Sequence, residues 1–125
     1  MELYLIWSPD MSCPQFIAES MAVRTAAHLA HLTTRSYAAH KALGRFYEVL
    51  VPLIDRYAEA HMGEATVSSF PSVKLPTGTP EEILRDYLDA VRDELSEEDD
   101  HATKETILAE IEELTLSTLY MLKMK

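Results

Sequence analysis

The segment from Ser36 to Met62 has the longest continuous helical pattern in the chain. Its apolar and aromatic residues recur at alternating intervals of three and four, which is the spacing of one face of an α-helix. The members of this stripe are Tyr37, His40, Leu43, Tyr47, Leu50, Ile54, Tyr57 and His61. Gly63 is expected to end the helix and Pro52 to bend it. A helix of this kind must bury one face, so the rest of the chain has to cover it.

Three further segments have helical patterns, and residues that favour turns separate them. The first runs from about Pro14 to Leu32 and stops at the sequence TTRS. The third opens at TPEE (residues 79–82), which combines a capping box with proline at the first helical position. The last runs from about Ala102 to Lys123, after the acidic turn SEEDD, which we expect to be solvated. With no convincing strand pattern, the chain is predicted to be an all-α four-helix bundle.

The length of 125 residues suits one domain, residues 1–125, large enough to bury a core. Within it we expect residues 1–13 to form an N-terminal extension and residues 64–79 a long connection between helices two and three. Four apolar residues are expected to attach that connection to the bundle: Val67, Phe70, Val73 and Leu75.

The charge and cysteine content exclude several classes of protein. A net charge of −10 argues against a surface that neutralises many phosphates, so nucleic acid is not an expected partner. The single cysteine, Cys13, cannot form an internal disulfide and has no CxxC partner for zinc. The apolar start of the chain is too short for a membrane span and lacks the basic flank of a signal peptide. We therefore expect a cytoplasmic protein with no membrane segment.

Histidines and carboxylates form the most specific pattern in the sequence. His28, His31 and His40 fall within thirteen residues, and Asp55 and Glu59 lie one turn apart on the second helix. Fifteen residues of helix rise about 22 Å, so His40 and Asp55 of one chain cannot hold one ion. An antiparallel second copy of this helix, related by a two-fold axis, would bring them together in two equivalent sites. Imidazole with carboxylate suits iron, manganese or zinc.

The spacing H-x11-H-x14-D-x3-E across a helix junction resembles the Dps (DNA protection during starvation) branch of the ferritin-like proteins. The resemblance is close over residues 15–62, looser elsewhere, and nearest to small Dps-like proteins encoded by bacteriophages. It implies a ferritin-like bundle, a homo-oligomer that pairs at least as a dimer through the second helix, and oxidation of Fe(II) as a ferroxidase. For a phage protein the site of action would be the host cytoplasm. By this resemblance His28 and His40 are metal ligands from one subunit, and Asp55 and Glu59 from its partner.

Four departures from the Dps pattern affect these expectations. Gly44 stands where the family usually has an acidic residue, which removes one weak ligand. Pro52 falls between the two halves of the site, where it affects how the second helices pair. The chain is also shorter than the usual family member, so the sequence is compatible with either a dimer or a dodecameric cage. There is no basic tail, so the DNA binding of the family is not expected here.

Other residues near the histidines have both a structural and a functional interpretation. His31 and Tyr47 are accessory candidates for the metal site, although a partly buried structural role is the more common one for such residues. Tyr37 and Tyr57 are expected to pack between helices with solvated hydroxyls. His61 and His101 are expected on the solvent side.

Arg24, Arg35, Lys41 and Arg45 surround the histidines and define an alternative function. They could hold a small anion such as a nucleotide at a non-catalytic site. Their structural interpretation is a set of ordinary ion pairs with Glu19, Glu48 or Asp55. A helical bundle that only contacts a partner protein is a third hypothesis.

Overall fold

The computed structural model describes residues 9–98 and 101–124, and most of them are helical. The four helices are α1 (Pro9–Thr33), α2 (Tyr37–Met62), α3 (Pro80–Glu97) and α4 (Ala102–Met121). Since the described part of the chain contains no β-strand, the predicted all-α class is confirmed. The helices form a closed set in which α2 packs on α1 and α4, and α3 packs on the same two helices. None of the helices in the described residues is long and apolar enough to cross a membrane.

The core lies between the four helices, and each helix contributes to it. Phe16 of α1 contacts Tyr57 of α2 edge-on and Tyr87 of α3 face-on, with ring centroids 5.5 and 6.0 Å apart. Burial of a Leu, Ile or Phe side chain in such a core contributes roughly 1.5–3 kcal/mol. The largest apolar side chains that are fully buried are Ile17, Leu43, Phe46, Leu50, Ile54, Leu84, Val91, Leu108 and Ile111.

The caps follow the local sequence closely. The Thr79 hydroxyl accepts from the Glu82 amide, and the Glu82 carboxylate accepts from the Thr79 amide, so the predicted capping box is present. Ser36 caps α2 by accepting from the Ala39 amide. Gly63 does end α2, but at φ −65° it is helical rather than left-handed.

The predicted start of α1 is wrong. The helix begins at Pro9, so the boundary placed at residue 13 falls inside it, and residues 1–8 of the expected extension lie outside the described residues. Pro14 lies within the second turn of the helix. A proline at this sixth helical position has no amide hydrogen to donate to the carbonyl four residues earlier.

The connection between α2 and α3 contains no helix, and it is less firmly attached than its apolar residues suggested. Phe70 and Leu75 are 47% and 45% exposed, while Val67 and Val73 are partly buried. Tyr37 is also wrongly placed by the helical stripe, because it is the first residue of α2 and is 75% exposed.

Candidate functional site

The junction between α1 and α2 brings the three clustered histidines together. The rings of His31 and His40 stack with centroids 3.8 Å apart and an interplanar angle of 17°. His28 stacks on Tyr47 at 4.0 Å, and the same tyrosine ring meets His31 edge-on at 5.4 Å. These four side chains, His28, His31, His40 and Tyr47, are all partly buried, and we call them the histidine seam.

Two reciprocal hydrogen bonds fix the central rings of the seam. His31 Nδ1 lies 2.6 Å from the carbonyl oxygen of His40, and His40 Nδ1 lies 2.8 Å from that of His31. A carbonyl oxygen only accepts, so each Nδ1 carries the hydrogen, and each neutral ring keeps its lone pair on Nε2. An Nδ1–H bonded to a backbone carbonyl is also how metal-binding histidines are commonly oriented.

Gly44 lies directly beneath the His31 ring. A Cβ atom added at this glycine would lie 2.9 Å from His31 Cε1 and 3.0 Å from Nδ1, closer than side chains normally approach. The ring of His31 therefore occupies the space in which any side chain at position 44 would begin. An acidic residue at position 44 would therefore require the His31 ring to move.

Asp55 and Glu59 are exposed on α2, and neither forms an ion pair or a side-chain hydrogen bond within the described chain. Asp55 lines a groove of about 280 Å³ together with Met21, Arg24 and Val51. The Arg24 guanidinium lies 6.0 Å from the Tyr47 ring centroid, so this groove continues into the histidine seam. Asp55 is linked to the histidines along one α1–α2 face through Arg24 and Tyr47, and Glu59 lies one turn further along α2; we call this face the seam face. Among the described residues, these carboxylates and histidines do not converge on one point within a single chain.

The four cations separate into different places. Lys41 and Arg45 line a cavity of about 560 Å³ with His31 and His40, whereas Arg24 lies in the Asp55 groove. Arg35 is exposed and lines neither. The ion pairs expected for them do not form within the described residues: Arg45 donates to the Ser117 hydroxyl, and Lys41 Nζ lies 5.8 Å from a tyrosine ring centroid.

A second cluster, which sequence reasoning missed, lies at the other end of α2. Its members are Cys13, Tyr57, His61, Glu94, Glu98 and Lys104, and we call it the buried polar network. The Tyr57 hydroxyl lies 2.6 Å from Glu94 Oε2 and 3.0 Å from Glu98 Oε2. Lys104 Nζ lies 3.2 Å from Glu98 Oε2 and 3.2 Å from His61 Nδ1.

The charges in the buried polar network are compensated by groups within it. Burial raises the pKa of Glu94 to about 7, so its protonated form persists up to neutrality. The Tyr57 hydroxyl donates to Glu94 Oε2 and also lies within hydrogen-bond distance of Glu98 Oε2, and Lys104 neutralises Glu98. Burial also raises the pKa of Cys13, to about 11, and that of Tyr57, so both keep their hydrogens.

Cys13, Glu94 and Glu98 place their ligand atoms within 4.8 Å of one another, the only such group among the described residues. This spacing would suit a metal ion. However, Lys104 already supplies the positive charge, and the Tyr57 hydroxyl bridges the two carboxylates. The arrangement is therefore explained as a buried hydrogen-bond network.

Three expectations are corrected by this network. His61 is 6% exposed rather than on the solvent side, the Tyr57 hydroxyl is buried rather than solvated, and Glu98 of the acidic turn is buried. The position of His61 had a signal, because it is the last member of the α2 stripe. Cys13 and Glu94 had none, since only the packing of α1 against α3 brings them together.

Comparison with known proteins places most of the chain in one family. Residues 31–122 match DUF5856, a family of unknown function. An uncharacterized 14.6 kDa protein in the mobD-ri intergenic region of Enterobacteria phage T4 is 36% identical over 75 residues. That alignment covers 57% of this chain and 59% of the phage protein, so the chain spans less than two thirds of its relative. No solved structure matches the chain. The phage relative agrees with the phage character expected from the sequence, and neither match names the Dps or ferritin-like proteins.

Proposed function

The chain belongs to the DUF5856 family, and we propose that it is a Dps-like metal-binding protein that oxidises Fe(II) at a site shared between two copies. The observation that carries the proposal is the division of the seam face. Oriented imidazoles lie at one end of it and unpaired carboxylates at the other, about 22 Å along the same helix. Such a face is complete only when a second copy lies antiparallel upon it.

The imidazole half of the site is well suited to a metal. His40 is held by its Nδ1–H bond to a carbonyl, so its Nε2 stays unprotonated in the neutral ring. His28 is partly buried and held against Tyr47. Histidine nitrogen and carboxylate oxygen together form a ligand set for Fe(II), with manganese and zinc as competitors.

The carboxylate half supports the two-chain arrangement. Asp55 and Glu59 are left without a cation within one chain, although Arg24 lines the same groove as Asp55. Met21 and Val51 are 47% and 36% exposed on the seam face, and a second copy would cover them. The closed set of four helices with a long connection after α2 fits a ferritin-like bundle, in which one connection crosses over.

In the proposed reaction iron is the substrate, and a peroxide is its oxidant. Each Fe(II) gives up one electron, so two ions reduce one hydrogen peroxide to two waters with the uptake of two protons. Asp55 and Glu59 neutralise the ferric product, whose positive charge is larger than that of the substrate.

The test mixes the purified protein anaerobically with Fe(II), adds peroxide and records ferric absorbance. We expect the protein to accelerate oxidation and the variants His40→Ala and Glu59→Ala to abolish the acceleration. His101→Ala and Asp89→Ala remove an exposed histidine and an exposed acid elsewhere and serve as matched controls. If the wild-type rate equals that of the His40→Ala, Glu59→Ala double variant, the catalytic proposal fails.

A complementation experiment tests the sharing between two copies. His28→Ala/His40→Ala protein is unfolded, mixed with an equal amount of Asp55→Ala/Glu59→Ala protein, and refolded. Each mixed dimer then has one intact site and one site without any ligand, so about a quarter of the wild-type sites should return. Recovery of none, when the mixture is dimeric by light scattering, would show that the two halves do not act together.

A further inference from the structure

The 560 Å³ cavity lies where α2 begins and α4 ends, and the iron proposal leaves it unexplained. Its volume is within the range of roughly 300–1,000 Å³ that is usual for small-molecule sites. The lining residues that matter here are His31, Tyr37, His40, Lys41, Arg45 and Met121.

The walls of this cavity are positively charged in a chain whose net charge is −10. Lys41 and Arg45 face it with one carboxylate, that of Glu48, and neither cation forms an ion pair within the described chain. What distinguishes Lys41 and Arg45 is that they line one cavity together, two cations against a single carboxylate. This local excess of positive charge favours an anion.

The start of α2 adds to this positive potential. Tyr37 and Ala38 are its first two residues and line the cavity, and the first turn contains no acidic residue. Ser36 caps the amide of Ala39, which leaves the amides of the first two positions without helical partners. The helix dipole therefore reinforces the charge of Lys41 and Arg45.

The cavity also has surfaces that suit a planar ring. Tyr37 is 75% exposed at its edge, although a large aromatic side chain is usually covered, and Lys41 Nζ lies 5.8 Å from the ring centroid. Met121 and Met124 also line the cavity, and their flexible thioether side chains adapt to irregular surfaces. Proteins that bind single-stranded nucleic acid combine cations for the phosphates with aromatic rings on which the bases stack.

We propose that this cavity binds a mononucleotide, with the phosphate held by Lys41 and Arg45 and the base stacked on Tyr37. The cavity shares His40 with the iron proposal, but the nucleotide contacts use neither Asp55 nor Glu59 and need no second copy. Of the four cations considered in the sequence, the geometry selects two and leaves out Arg24 and Arg35.

Calorimetry on the full chain, treated with EDTA and at low salt, tests the proposal with AMP, adenosine and inorganic phosphate. We expect AMP to bind, and adenosine and phosphate each to bind at least about tenfold more weakly, because each lacks one half of the contacts. Absence of AMP binding, or phosphate binding as tightly as AMP, would overturn it.

Matched variants separate the two contacts. Lys41→Ala/Arg45→Ala should weaken AMP binding at least about tenfold, while Arg85→Ala, an exposed arginine on α3, should not. Tyr37→Leu should weaken AMP but not phosphate, and Tyr120→Leu, also an exposed tyrosine, should change neither. Glu59→Ala should leave AMP binding unchanged, which distinguishes failure here from failure of the iron site. If each cavity variant weakened AMP binding no more than its control variant, the assigned contacts would be rejected.

Discussion

The buried polar network and the histidine seam lie at opposite ends of α2 and use similar side chains in opposite ways. The network gathers a thiol, a phenol and two carboxylates within one chain, and every charge in it is balanced by a neighbour. The seam face, which extends from the histidine seam toward Asp55 and Glu59, leaves imidazole lone pairs and carboxylates unmatched. A cluster of buried polar side chains is thus a poor indicator of a functional site when its members already bond to one another. Polar side chains that are fixed in position but have no hydrogen-bond or ion-pair partner indicate a ligand site more directly.

Among the variants that test this contrast, we expect the largest loss of stability from a change at Lys104. Lys104→Met leaves Glu98 buried without its counter-charge, which should lower the free energy of unfolding by about 3 kcal/mol. Urea denaturation at pH 7 measures it. Lys104→Met/Glu98→Gln removes both charges and should recover much of the loss. Arg92→Met, in a surface pair, is the control and should cost less than about 1 kcal/mol. A similar loss in both single variants would mean that the network is not electrostatically closed.

The pH dependence of stability tests the proton in the network. The pKa of Glu94 rises from 4.5 in the unfolded chain to about 7 in the folded one. Between these values the unfolded state releases a proton that the folded state keeps, so stability falls as pH rises from 4.5 to 7. Glu94→Gln cannot ionise, and its Tm should exceed that of the wild type by a few degrees at pH 8 but not at pH 5. An equal difference at both pH values would contradict the raised pKa of Glu94.

The smallest effect concerns the packing of the seam. Gly44→Ala pushes a methyl group into the His31 ring and should cost about 1 kcal/mol, although alanine is the better helix former. In a His31→Ala background the same change should instead stabilise by up to about 1 kcal/mol. Thermal unfolding of the four proteins measures this reversal of sign. If the sign does not reverse, the His31 ring is free to move away from the added methyl group.

Local signals explain what the sequence predicted well. The capping box at Thr79 and the stripe on α2 depend on neighbours within one or two turns, and both are present. The histidines meet for the same reason, since only a short turn separates their helices. The pairing of Cys13 with Glu94 depends on how distant helices pack, which no local spacing encodes. The start of α1 was missed because a proline near a helix end is weak evidence for where that helix begins.

The contact between Gly44 and the His31 ring has a consequence for how this protein family can vary. Only one of the two positions can fill the space between α1 and α2, so their side-chain sizes should change together. Relatives with an acidic residue at position 44 are expected to have a small residue at position 31. In such sequences a carboxylate at position 44 would stand where this chain has the imidazole at position 31. One type of ligand would then replace the other without a change of fold.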